Sequence, residues 1–165
     1  MYILGAQRDG DSTHAERRWE EYRNYLRENE PTFPPGAYAL ATSDWYFGFS
    51  DHRAPHDAWL EAFHLTETGV GERSEERHLS LTIRLLGAYH DRVLEFHYPV
   101  VFGYEIQKPR GYDGHFDWRY DEFRLGPNGS LVHEIEWAGG PGYEARWVIE
   151  ASDVEFREYA RGAAA

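Results

Sequence analysis

Apolar residues recur at two different periods along this chain, and the change from one to the other divides it. Ala15, Trp19, Tyr22 and Leu26 fall on one helical face, while Glu20, Arg23 and Arg27 lie elsewhere around the turn. Thr13 followed by Glu16 has the form of a capping box, which satisfies amides at a helix start. The helix is expected to stop near Glu30. Pro31 disfavours helical geometry in the residue before it, and Pro34-Pro35-Gly36 is read as unable to continue a helix.

From Ala37 onward the period is two. Leu79, Leu81, Ile83 and Leu85 alternate with His78, Ser80, Thr82 and Arg84, the pattern of a half-buried strand. Gly87–Asp91 turns it back into Arg92–Tyr98, with Leu94, Phe96 and Tyr98 inward. Pro99 marks an edge, bend or bulge before Val100–Ile106, and Lys108–Gly114 is a glycine- and charge-rich loop. Phe116, Trp118 and Tyr120 are then read as inward, with Asp117, Arg119 and Asp121 outward, in a strand reaching about Leu125. Gly126-Pro127-Asn128-Gly129 is a hairpin signal. Leu131, His133, Ile135 and Trp137 form the inward set of the next strand. Ala138–Gly142 turns the chain, and Tyr143, Ala145, Trp147 and Ile149 form the inward set of its partner. A last strand is expected at Asp153–Glu158.

One helix followed by about eight strands, mostly with short connections, predicts an α+β domain, because parallel pairing requires long crossovers. The expected architecture is one N-terminal helix packed on a mostly antiparallel sheet, with a partly closed barrel as the other way to close it. Residues 1–160 are read as a single domain and Arg161–Ala165 as a disordered tail.

Composition narrows the chemistry. The 165 residues include six Trp, twelve Tyr and nine Phe, enough aromatic bulk to fill a core, so the main body is not a disordered chain. Cysteine is absent, which excludes disulfides, thiol nucleophiles and thiolate metal sites. The start is not signal-like and no apolar run reaches membrane length, so a soluble cytoplasmic protein is expected. Lys108 is the only lysine, a bias toward Arg that points to a GC-rich bacterial genome.

Asp and Glu number 29 against 17 Lys and Arg, a net charge of −12. That balance opposes nucleic acid, whose binding depends on cationic side chains, and suits a basic protein partner. On the strand registers above, Asp117, Asp121, Glu134, Glu136, Glu144, Glu150, Asp153 and Glu155 all point outward against Arg119, Arg146 and Arg157. Like charges on neighbouring strands destabilise a sheet, so this acidic face is a candidate partner-binding surface. The plain alternative is a solvated sheet surface.

Chemistry-capable side chains concentrate in Asp44–Trp59. Asp51, His52, His56 and Asp57 have the residue types of a His/carboxylate site for a divalent metal, although Pro55 breaks the helical turn that would align them. Trp45, Tyr46 and Trp59 are candidates to line a ligand pocket beside them. A hydrogen-bonded structural corner accounts for the same residues. Seryl nucleophile and phosphate-loop motifs are absent, and no catalytic residue is assigned. No cofactor is expected, a bound divalent metal at the His/Asp loop aside. Glu134 and Glu136 on one strand face have the form of an acid/base pair but read as solvated.

Leu131-Val-His-Glu-Ile-Glu-Trp137, a Gly-rich turn, and Trp147-Val-Ile-Glu-Ala-Ser-Asp-Val-Glu-Phe156 resemble the C-terminal strands of small bacterial proteins of the immunity type found beside polymorphic toxins. The resemblance covers less than a fifth of the chain. It implies an acidic, cytoplasmic, non-enzymatic protein that binds and blocks a toxin domain, and it carries over no functional residue. Two functions follow as expectations: a non-catalytic acidic protein-binding domain, immunity-like in the sharper form, and a ligand- or metal-binding domain, an enzyme in its sharper form, with its site in the 44–59 segment.

Overall fold

The computed structural model describes residues 1–4, 12–72, 76–108, 113–138 and 144–162. Helix α1 runs Ser12–Asn29, a 3-10 turn follows at Glu30–Thr32, and a second helix, α2, spans Pro35–Ala41. Eight strands follow: β1 Trp59–Val70, β2 Glu76–Leu86, β3 Arg92–Tyr98, β4 Val101–Ile106, β5 Asp117–Leu125, β6 Leu131–Ala138, β7 Glu144–Ala151 and β8 Glu155–Ala160. The fold is α+β and every strand pair is antiparallel. The strands form two sheets, ordered β1-β2-β3-β8 and β4-β7-β6-β5, and not a barrel.

The amphipathic reading of α1 holds at Tyr22 and Leu26, which are buried, and at Trp19, which is half-buried; Ala15 is exposed near the helix start. The helix lies along the β5 edge. The Tyr22 hydroxyl binds both backbone groups of Phe123, and the Tyr25 hydroxyl accepts the Leu125 amide at 2.7 Å. Side chains thus satisfy strand groups that a further strand would otherwise pair.

Helix α2 corrects the expectation that Pro34-Pro35-Gly36 opens the strand region. Pro35 at the first helical position presets the backbone and loses no hydrogen bond there. The cap comes from far along the chain: Asp153 Oδ2 and Oδ1 accept the Gly36 and Ala37 amides, both at 2.9 Å. A Cβ on Gly36 would sit 2.1 Å from the Val154 carbonyl oxygen, so this close approach requires glycine.

The inner faces of the sheets carry the core. Leu81, Ile83 and Leu85 of β2, Leu94, Phe96 and Tyr98 of β3, and Leu131, His133, Ile135 and Trp137 of β6 are all buried, as their alternation predicts. In β5 the alternation fails. A bulge between Trp118 and Tyr120 inserts one residue, so Asp121 and Phe123 face inward after Trp118, in place of Tyr120. The β5–β6 hairpin forms at Gly126–Gly129 as expected, with Asn128 and Gly129 at positive φ.

β1 had no alternation to announce it, and all seven positions from His64 to Val70 are exposed. Its start is tied to β5 by the Asp57 amide to the Trp118 carbonyl and the Trp118 amide to the Ala58 carbonyl. Farther along, Phe63 meets Trp147 of β7 edge to face at 5.4 Å, so β1 also packs on the second sheet. Arg161 and Gly162 form a turn, with the Arg161 amide bonded to the Asp91 carbonyl. The expected turn at Gly139-Gly140-Pro141-Gly142, the inward position of Tyr143, the loop at 109–112 and the last three positions of the tail lie outside the described residues.

Candidate functional site

The Asp44–Trp59 segment distributes its polar side chains among four different partners. Asp51 binds Arg53 through its amide and guanidinium, and that hydrogen-bonded guanidinium holds the carboxyl well below the usual carboxylate range. His52 Nδ1 lies 2.8 Å from Asp91 Oδ2, and its ring stacks on Tyr89 with centroids 3.9 Å apart. Asp57 stands at positive φ and accepts from Arg119 at 3.0 Å. His56 packs between Phe49 and Tyr120, with Nδ1 3.2 Å from Asp57 Oδ1 but not aligned for a hydrogen bond. Among the described residues no three His, Asp or Glu side chains are grouped to hold a metal ion. The arrangement gives a His/carboxylate metal centre no support.

Burial holds His56 below the usual imidazole range, opposed by the Asp57 carboxylate. Nearby Asp117 is held above the usual carboxylate range by desolvation and then by Asp57. Groups shifted in this way accompany acid–base sites. Here Asp57 is already spent on Arg119.

The three aromatics expected beside the loop separate. Trp45 packs on Phe156 and lies under the Arg53 guanidinium, 4.8 Å from its ring. Trp59 is exposed against His90. Tyr46 is in the core, where its hydroxyl donates to Asp121 Oδ2 at 2.8 Å. Asp121 also accepts from Trp118 Nε1 at 3.0 Å and lies 2.9 Å from His133 Nε2, whose other ring nitrogen is 2.6 Å from the Tyr98 hydroxyl. Each member of this Tyr–His–Asp network is at most 2% exposed. Burial is the first cause that raises the Tyr46 and Tyr98 hydroxyls well above the ordinary tyrosine range, and Asp121 adds to it. A closed network of satisfied polar groups rigidifies a core and offers no substrate an approach.

The eight acids expected on one outward face do not share one. Asp121 is in the core because of the β5 bulge. Glu134 and Glu136 point outward from β6 but are buried, Glu134 between Arg124 and Arg146, the latter at 2.8 Å. Glu122, opposite Glu134, is also buried; it binds Arg124 at 2.9 Å and accepts the Tyr2 and Leu4 amides. Tyr2 and Leu4 are thereby tied to β5. Glu150 is half-buried and accepts from Ser130 Oγ at 2.7 Å, and Asp153 caps α2. Glu155 pairs with Arg157 on the other sheet. Asp117 is half-buried, and Glu144 is exposed on β7.

Two surface features escaped the sequence reading. Among the described residues β4 ends the second sheet and pairs only with β7, and it displays Phe102, Tyr104 and Ile106 at 60%, 44% and 36% exposure. Only the exposure, not the pattern, distinguishes this strand from a buried one. The other feature is a cleft of about 480 Å³ between α1 and the chain from Tyr38 to Gly48, with Asp44, Phe47 and Gly48 as the contribution of the 44–59 segment. Comparison with known protein families, with curated proteins and with solved structures finds no match to this chain.

Proposed function

We propose that this chain is a non-catalytic, acidic binding domain for a basic protein, with the open β4 edge as its contact strand. The observation that supports the reading is the unequal treatment of the two edges of one sheet. The β5 edge is closed by tyrosine hydroxyls from α1, whereas β4 has no strand on its far side among the described residues and exposes three large apolar side chains. Val101–Ile106 contains neither Pro nor Lys, residues that commonly protect an edge, and its bulge between Val101 and Gly103 leaves Gly103–Ile106 in regular register. Such a strand suits a partner segment added in extended form, with backbone bonds giving affinity and pockets beside the apolar side chains giving specificity.

The net charge of −12 favours a cationic partner and a fast, salt-sensitive encounter. Exposed Glu105 lies on β4 itself. An inhibitor of the immunity type, acting on a basic toxin domain, is the sharper form of this proposal. The test is affinity capture from the encoding organism with the native chain and with Phe102→Lys/Tyr104→Lys side by side, followed by association kinetics of the recovered partner over a salt series. A basic partner lost in the variant and slowed by salt supports the reading. Equal capture by both chains refutes it.

A further inference from the structure

The opposite edge of the β4-β7-β6-β5 sheet carries a different opening. There α1 and the chain from Tyr38 to Gly48 enclose the cleft of about 480 Å³, inside the roughly 300–1,000 Å³ range of small-molecule sites. Its apolar part is aromatic. Trp19 and Phe47 meet edge to face at 4.6 Å, and both are only half-buried, so ring surface stays open to a guest. Leu26, also in the lining, is buried.

Most of the polar groups around the cleft are committed elsewhere. The Tyr22 hydroxyl binds Phe123, Thr42 Oγ1 donates to the Tyr38 carbonyl and Ser43 Oγ to the Leu40 carbonyl. Charge is what remains. Arg23 and Arg27 stand one turn apart on α1, and Asp44 lines the other wall. Arg23 bonds Glu20, and Arg27 bonds Asn24 and lies 3.8 Å from Glu20, all on exposed helix surface. Exposed pairs of this kind contribute little and exchange readily for another anion. Two guanidinium forks beside aromatic rings suit a planar molecule with an oxyanion at one end.

We propose that this cleft binds a planar aromatic anion, with its ring against Trp19 and Phe47 and its carboxylate, sulfonate or phosphate group held by Arg23 and Arg27. Asp44 repels the reversed orientation and so fixes which way the guest lies. The proposal is independent of the β4 reading, because the two features occupy opposite edges of the sheet.

The test uses the folded native chain and two fluorescent probes, anilinonaphthalene sulfonate and its uncharged counterpart phenylnaphthylamine. One equivalent of the sulfonate is expected to bind without loss of near-ultraviolet dichroism, which separates a built site from the exposed core of a loosened fold. Arg23→Gln/Arg27→Gln should weaken the sulfonate by about tenfold or more and leave the uncharged probe within about twofold, since charge-assisted bonds are what it removes. Glu20→Gln, which removes the competing carboxylate from beside both guanidinium groups, should tighten the sulfonate. Failure of the sulfonate to bind stoichiometrically, or equal affinity for both probes, overturns the proposal. Unchanged affinity in Glu20→Gln overturns it too, even where the double variant does not fold.

Discussion

The Tyr22 hydroxyl stands in for a neighbouring strand at Phe123: it accepts the Phe123 amide at 2.8 Å and donates to the Phe123 carbonyl at 3.0 Å. One side chain thereby satisfies both backbone groups of a buried edge residue and locks α1 to β5. Burial first, opposed by the bond to Phe123, raises this hydroxyl well above the ordinary tyrosine range.

Tyr22→Phe should therefore destabilise the protein by about 1–3 kcal/mol, because it removes one oxygen and strands two buried backbone groups. Tyr25→Phe should cost less, since Tyr25 is half-buried and water can reach its partner. Urea denaturation of both variants checks the order. No loss in either variant would show that α1 is held by apolar packing alone.

Charge reversal on the second sheet should divide by burial and not by position on the strand. Glu134→Lys leaves Arg124 and Arg146 facing a third cation in a buried site, and a loss of about 3–5 kcal/mol is expected. Glu144→Lys, on the exposed start of β7, should change stability by less than about 0.5 kcal/mol. Melting temperatures of the two variants decide the matter. Similar small shifts in both would mean that Glu134 is solvated.

Docking of α2 rests on the β7–β8 connection. Asp153→Ala should cost about 0.5–2 kcal/mol by removing the acceptor for the Gly36 and Ala37 amides. Gly36→Ala should cost about 1–3 kcal/mol, because its methyl meets the Val154 carbonyl and backbone must move. If Gly36→Ala melts with the native chain, the contact between α2 and the β7–β8 connection is looser than the geometry indicates.

Alkaline stability follows from Tyr22, Tyr46 and Tyr98, all raised in the folded state. Their stabilisation is fully present below the unfolded tyrosine pKa of about 10. Above that pH the unfolded chain releases protons that the native core retains, so stability falls toward the raised native values by about 1.4 kcal/mol per pH unit for each tyrosine. Denaturation midpoints followed through the alkaline range, with tyrosinate absorbance as the second signal, should show a cooperative loss of fold. Titration of all twelve tyrosines near their ordinary value without unfolding would contradict it.

The elements that the sequence announced were those whose energetics are local. Tyr22 and Leu26 at helical spacing, and Leu81, Ile83 and Leu85 at strand spacing, bury the faces their periods predict, because a regular backbone places such residues on one side whatever it packs against. The β5–β6 hairpin likewise follows from Asn128 and Gly129, whose backbone tolerates positive φ without help from elsewhere. The candidate site was less legible. Asp51, His52, His56 and Asp57 are close in the chain, yet three of the groups they meet, Asp91, Tyr120 and Arg119, come from outside the segment.

The sequence by itself determined the α+β class, the antiparallel strand order of hairpins and most of the inward-facing set, since each depends on residue period and turn chemistry. Tertiary structure alone decided three other matters. The β5 bulge, a single inserted residue, turned Asp121 from the outer face into the core beside His133 and Tyr46. Asp153, 117 positions from Gly36, made a helix of a proline-rich segment by capping it. α1 closed the β5 edge, while among the described residues β4 stayed open. Each depends on which distant group meets a backbone amide or carbonyl, and no local pattern encodes that meeting.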